Sequence, residues 1–388
     1  MENLSEIMKL IEAGLQQDST KVFNYTQLLI EKLETNGEKE TAEKLRKIIR
    51  RSKTLNIKAQ DYEQIWKLPV DTESRLPLAE IKQFQKDDIF ISLNSNLSKD
   101  IQEFINLINN ADSFLAKDIK IYRSMLLFGI PGTGKTQVAK YIAAQTGLPL
   151  VTVRIDGMVS SYLGNTSKNI RSLFEFVEKN PCILFLDEFD AMAKMRDDSN
   201  ELGELKRVVN ALLQNIDSIE SKVPVIAATN HEQLLDPAIW RRFDYKIKME
   251  LPNAEQRLLL IKEFLKEIKV EDKQNKLIDM LVTMSNGLSG AEIESLCTQI
   301  KTNLVIENEI SLNKKHLMDY FIKFKNRNGN GDSKTQIDSE QSKISLAKTF
   351  KQENDKLFTI RDLSEMTGIS TGKLSQELNK NDDGHARR

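Results

Sequence analysis

A chain of 388 residues is too long for one small domain and predicts two to four units. Its hydrophobic share of 40% supports real cores, while 29% charged residues at a formal net charge of −1 exclude a global polyanion-binding character, so any nucleic-acid contact must be local. Cys182 and Cys297 fall in apolar patterns and predict buried thiols, not a disulfide or metal set; with no secretory segment and no apolar run near the roughly 18 residues that span a membrane, the expectation is a cytoplasmic protein with no membrane partner.

The chain opens on helical stripes: Leu4, Ile7, Met8, Ile11 and Leu15, then Tyr25, Leu28, Leu29 and Leu33, then Ala42, Leu45 and Ile49. They predict a helical N-terminal domain over 1–52, serving either as an oligomerisation cap or as an adaptor for a partner. Residues 53–93, weakly periodic and carrying Pro69 and Pro77, read as a linker. A further stripe, Leu97, Ile101, Phe104, Ile105 and Ile108, begins an α/β region over 94–252. Its strand-like runs are Ser124–Phe128, Leu150–Ile155, Cys182–Leu186, Val223–Ala228 and Tyr245–Leu251, with helical segments between most of them. That alternation predicts a parallel sheet covered by helices on both faces, with the loops after the strands gathered along one edge, where ligands bind.

The first of those loops, Gly129-Ile130-Pro131-Gly132-Thr133-Gly134-Lys135-Thr136, has the form G-x-x-x-x-G-K-[ST] between a strand and a helix that begins near Gln137. Glycines at these positions let backbone N–H groups turn inward around anionic phosphates, and the helix N-terminus adds partial positive charge. Lys135 would reach the β- and γ-phosphates, and the Thr136 hydroxyl would ligate Mg²⁺. The second strand is followed by Ser161-Tyr162-Leu163-Gly164. The third ends in Asp187 and Glu188: Asp187 offers a hard oxygen to Mg²⁺ through its water shell, and Glu188 can orient and polarise an attacking water. The fourth ends at Asn230, able to hydrogen-bond a γ-phosphate or that water, or to act only as a turn residue. Arg241 and Arg242 follow, planar and permanently charged, suited either to a phosphate or to a surface ion pair.

Beyond Pro252 the pattern is all-helical and predicts a lid subdomain over 253–325, with Ser289-Gly290-Ala291-Glu292 as the capping box of one helix. Residues 326–343 read as a flexible linker, 344–380 as a small helical module and 381–388 as a tail. Thr359 to Leu378 resembles a helix-turn-helix with Gly368 at the turn. A DNA reader would present Ser370, Thr371 and Lys373. Arg361, Lys373 and Lys380 are offset by Asp362, Glu365 and Glu377, which favours a protein-docking module over phosphate neutralisation.

Together these residues resemble an AAA+ ATPase, of the AAA group with the second region of homology, over about 94–324. The resemblance implies an ATP-hydrolysing enzyme using ATP and Mg²⁺. Gly129, Pro131, Gly132, Thr133, Gly134, Lys135, Thr136 and Gln137 match the nucleotide-binding Walker A loop. Asp187 and Glu188 match Walker B, Asn230 matches sensor 1, and Gly290 and Ala291 match a lid turn that contacts nucleotide. Arg241 and Arg242 match the arginine fingers that enter a neighbouring subunit's site, which implies a homo-oligomeric ring, usually a hexamer. Their adjacency is similar to the spastin and katanin type, without the residues that separate the arginines in proteasomal members. Tyr162 and Leu163 match the pore loop that grips an extended protein substrate, and 195–204 would hold a second pore loop. No family-like Asp-Ile-Gly-Gly precedes Walker A, which leaves the adenine contacts near Ile89–Leu93 unassigned. The texture around 69–78, 160–169 and 203–210 is similar to bacterial AAA ATPases encoded beside a subtilisin-like serine protease and associated with phage defence. A DNA-associated regulator switched by ATP, reading through the C-terminal module, is the alternative.

Overall fold

The computed structural model describes residues 66, 68–71, 75–153, 163–190, 202–219, 221–270, 276–328 and 340–379, together with 7–9, 25–26, 29–30, 32–33, 41–42 and 45. The chain divides into two compact units, the first formed by Met1–Phe90, Asn96–Phe128 and Lys135–Lys248, the second by Ile91–Ser95, Gly129–Gly134 and Met249–Arg388.

The first unit is built on a six-stranded sheet: β1 (Ala79–Lys82), β2 (Ser124–Phe128), β3 (Leu150–Val153), β4 (Ile183–Leu186), β5 (Val225–Thr229) and β6 (Tyr245–Lys248), in the order β1-β3-β4-β5-β2-β6. All neighbours run parallel except β1, which pairs antiparallel with β3. Every residue of β4 and β5 is buried, as expected of strands covered on both faces. Because the strands from β2 to β6 are parallel, the turns that follow Phe128, Leu186 and Thr229 emerge along the same sheet edge. Helices α1 (Ser95–Asn109), α2 (Ala111–Leu115), α3 (Lys135–Thr146), α4 (Leu163–Lys179), α5 (Leu202–Ile219) and α6 (Pro237–Trp240) complete the unit. A core running from Ala79 through Phe174 and Phe185's neighbours Leu184 and Leu186 to Phe243 joins sheet and helices. In the N-terminal segment, Leu29, Ile30, Leu33 and Ala42 form a small cluster of their own.

Strand β1 lies inside the segment expected to be a linker throughout. Its four residues alternate buried and exposed, too short a run just after Pro77 to register as a strand in sequence. The rest of that segment is also fastened down: Trp66 meets Phe176 edge-on at 5.9 Å, and the buried Asp71 accepts a hydrogen bond from Asn169 Nδ2 at 2.8 Å.

The second unit is helical: α7 (Ala254–Phe264), α8 (Lys276–Met284), α9 (Gly290–Ile306), α10 (Lys314–Asn328), α11 (Glu340–Glu353), α12 (Ile360–Thr367) and α13 (Thr371–Asn379), with a parallel pair β7 (Lys269–Val270) and β8 (Ser311–Leu312). Ser289 caps α9 reciprocally with Glu292, as its sequence signature requires, and Thr359 does the same for α12 with Asp362. Gly368 ends α12 in the left-handed conformation at φ 73°, and α13 follows. One apolar core contains both Ile261 to Phe324 and Ile344 to Leu374, so the stretches expected as lid and C-terminal module share a single interior. Phe350, Phe358 and Leu363 are buried there.

Candidate nucleotide site

Strand β2 delivers the chain at Phe128 into the loop Gly129–Gly134, and α3 begins at Lys135. Gly129 sits at φ +141°, where a Cβ would lie 2.2 Å from the Met249 carbonyl oxygen. Gly132, at φ +77°, lies so close to Ser289 that a Cβ would approach its Oγ to 2.7 Å. The loop is therefore glycine-rich for two reasons at once, left-handed backbone and close packing. The Gly132 carbonyl accepts a hydrogen bond from the Ala291 N–H at 3.0 Å, which brings Gly290 and Ala291 of α9 against the loop. Thr133 Oγ1 donates to the Ile130 carbonyl at 2.9 Å and closes the turn. Pro131 and Gln137 are exposed, and Gly134 is half-buried. Lys135 is 7% exposed; burial pushes its pKa down, opposed by the charges of Asp187 and Asp190.

Thr136 Oγ1 donates to Asp187 Oδ2 at 3.0 Å, joining the start of α3 to the end of β4. The other oxygen, Asp187 Oδ1, accepts from the Glu188 N–H at 3.0 Å. Glu188 is exposed and held at φ 50°, left-handed backbone that a non-glycine residue adopts at a cost. The Thr136 and Asp187 oxygens are hard donors and suit Mg²⁺. Among the described residues no group of three or more His, Cys, Asp or Glu could hold a metal, so an ion here would draw its remaining ligands from water and phosphate, as Mg²⁺ commonly does. Asn230, at the end of β5, is half-buried and donates its backbone N–H to Asp190 Oδ1 at 3.3 Å.

Asp236 accepts from the Ala238 N–H at 2.7 Å and, with Pro237 behind it, starts α6. The arginine pair follows. Arg242 Nε bonds Asp217 of α5 at 2.9 and 3.0 Å, and its Nη1 donates to the Ala238 carbonyl at 2.8 Å, whereas Arg241 is exposed. Neither arginine hydrogen-bonds Asp187 or Glu188 among the described residues. Tyr162 and 195–201 lie outside the described residues, and Leu163 opens α4 without a described side chain. The sequence reading overlooked two groups. Asp190 is signalled only by a further acid three residues after Asp187, and Asp217 by nothing beyond its place on an amphipathic helix. Both cysteines are buried free thiols, their pKa values pushed up to about 12 by burial. Among the described residues no helix is long and apolar enough to cross a membrane.

Residues 125–251 match the ATPase family associated with various cellular activities (AAA). The chain is 46% identical to an uncharacterised AAA family ATPase of Sinorhizobium fredii, over 51% of this chain and 58% of that protein. It is 32% identical to 26S proteasome regulatory subunit 6A of Schizosaccharomyces pombe, over 68% of this chain and 62% of the relative. It is 35% identical to a proteasome-activating nucleotidase of Methanococcus maripaludis, over 60% and 58%. The chain spans 58–62% of the length of these curated relatives. The similarity over residues 125–251 is thus to an ATPase domain of the AAA family.

Proposed function

We propose that this protein is an ATP-hydrolysing motor that assembles with copies of itself into a ring, usually of six, and threads or remodels protein substrates through a central pore. The observation that carries the reading is the Thr136–Asp187 hydrogen bond of 3.0 Å beside the buried Lys135 and the strained Glu188. It supports reading Thr136 and Asp187 as a metal-binding pair with the Glu188 carboxylate next to them at the end of β4. The loop Gly129–Gly134 and Lys135 would hold the phosphates, with Gly290 and Ala291 beside them. Thr136 and Asp187 would hold Mg²⁺, which on binding supplies charge neutralisation at the phosphates. Glu188, exposed at the turn, would accept the proton of the attacking water, and Asn230 would orient that water. The exposed Arg241 is free of the contacts that hold Arg242 and is the better placed of the two to enter a neighbouring copy's site.

Relatives named for the proteasome support a protein client. Tyr162 and Leu163 would grip it, since an aromatic ring packs against side chains of any identity. A subtilisin-like serine protease acting in phage defence is the partner implied by resemblance. Unfolding of a tagged protein by the full chain should require ATP and be abolished by Tyr162→Ala while basal ATP hydrolysis persists. Unfolding that survives Tyr162→Ala would refute threading. Against the alternative DNA reader, Lys373 donates to both carboxylate oxygens of Glu340 at 2.7 and 2.8 Å.

A further inference from the structure

Strand β4 ends in a turn at Asp187 and Glu188, and the next two side chains return to the interior. Phe189 is buried against Phe243, their rings edge-on at 6.1 Å, and Asp190 beside it is only 6% exposed. A carboxylate this buried is costly unless its oxygens are satisfied. Here they are. Thr229 Oγ1 donates to Asp190 Oδ1 at 3.0 Å, and the Asn230 N–H donates to the same oxygen at 3.3 Å. The Thr229 hydroxyl in turn accepts from the His231 N–H at 3.1 Å. One carboxylate therefore orders three consecutive residues at the end of β5. Burial alone would raise its pKa; the Thr229 and Asn230 hydrogen bonds and the charge of His231 outweigh that and keep it below its ordinary value.

We propose that Asp190 is a positioning residue of the nucleotide site: it holds the Thr229-Asn230-His231 turn so that the Asn230 side chain faces the same reaction centre as Glu188. The inference rests on the nucleotide-site reading given above. In the tetrad Asp187-Glu188-Phe189-Asp190 the acids then divide the work. Asp187 serves the metal side with Thr136, Glu188 serves the water, and Asp190 serves the group that orients the water.

Its test is steady-state ATP hydrolysis and fluorescent ATP-analogue binding by the full chain, comparing wild type with Asp190→Ala, Asp190→Asn, Asn230→Ala and the Asp190→Ala/Asn230→Ala double variant. A catalytic group displaced by about 1 Å loses on the order of a hundredfold in rate, so Asp190→Ala should lower kcat about a hundredfold. Analogue affinity should fall by no more than about tenfold. The double variant should be no slower than Asn230→Ala, because the two residues act as one unit. Asp190→Asn keeps the acceptor oxygen and should recover part of kcat, which also serves if the alanine variant fails to fold. Near-normal kcat in both Asp190 variants overturns the proposal, as does a double variant whose loss is the product of the single losses. Wild type without ATP turnover would overturn the nucleotide-site reading itself. An active wild type with active Asp190 variants overturns only the positioning role.

Discussion

Replacing Asp362 by alanine probes how the last helices are held to the second unit. Asp362 lies in the first turn of α12, and its carboxylate accepts from Lys276 Nζ at 2.6 Å and Lys314 Nζ at 2.8 Å. Those lysines open α8 and α10, so one side chain ties three helix starts together. It also completes the capping box by accepting from the Thr359 N–H at 3.3 Å. A charge-assisted hydrogen bond contributes about 1.5–3 kcal/mol net. Both lysine side chains are 29% exposed and can partly return to water, so the sum of two such bonds and a cap is discounted to about 3 kcal/mol. That corresponds to roughly a hundredfold rise in local opening. Hydrogen exchange read by mass spectrometry over 340–379 should show it, with β2 and β5 as internal reference. The pH dependence has a definite sign. Burial would raise the Asp362 pKa, but the bonds from Lys276, Lys314 and Thr359 outweigh it and hold it well below the ordinary carboxylate range. The stabilisation is therefore complete above the unfolded pKa of about 4 and fades as pH falls toward the folded value. The protection gap between wild type and Asp362→Ala should be full at neutral pH and narrow below that point. Equal protection in the two proteins at pH 7 would refute the reasoning.

The nucleotide site carries further expectations. Gly129→Ala places a Cβ 2.2 Å from the Met249 carbonyl at a backbone angle that L side chains rarely adopt, so the phosphate loop must shift. Analogue affinity should fall at least about tenfold, and unaltered binding by fluorescence titration would contradict the cradle. Arg241→Ala, at an exposed position, should stay within about 0.5 kcal/mol of wild-type stability by thermal unfolding yet lose turnover. Arg242→Ala should cost about 1 kcal/mol as well, because it leaves Asp217 unpaired. Mixing inactive Arg241→Ala with inactive Lys135→Ala should restore some hydrolysis, and no recovery at any ratio would count against sites shared between copies.

Much of this arrangement is legible in sequence because its chemistry is local. The phosphate loop fixes glycine, lysine and hydroxyl at set spacings, and the buried strands β2, β4 and β5 are continuous apolar runs ending in polar residues. The capping box at Ser289 states its own helix start. Long-range features are not legible. Strand β1 is four residues long and owes its existence to pairing with β3, far along the chain. Asp190 looks like one more acid after a strand until β5 is set beside it, and Asp217 acquires a role only when Arg242 reaches it. The shared core of 261–324 and 344–374 is hidden by a polar stretch between them, whose composition suggests independence while the apolar faces on either side pack together.

The central claim is ATP hydrolysis driven by Glu188 at a site built on Lys135, Thr136 and Asp187. The most direct measurement is phosphate release by the full chain with ATP and Mg²⁺, wild type against Glu188→Gln, with ATP-analogue binding measured on the same samples. The account predicts Mg²⁺-dependent release by wild type, and a Glu188→Gln protein that binds the analogue comparably but turns over at least about a hundredfold more slowly. Near-normal release by Glu188→Gln would contradict it.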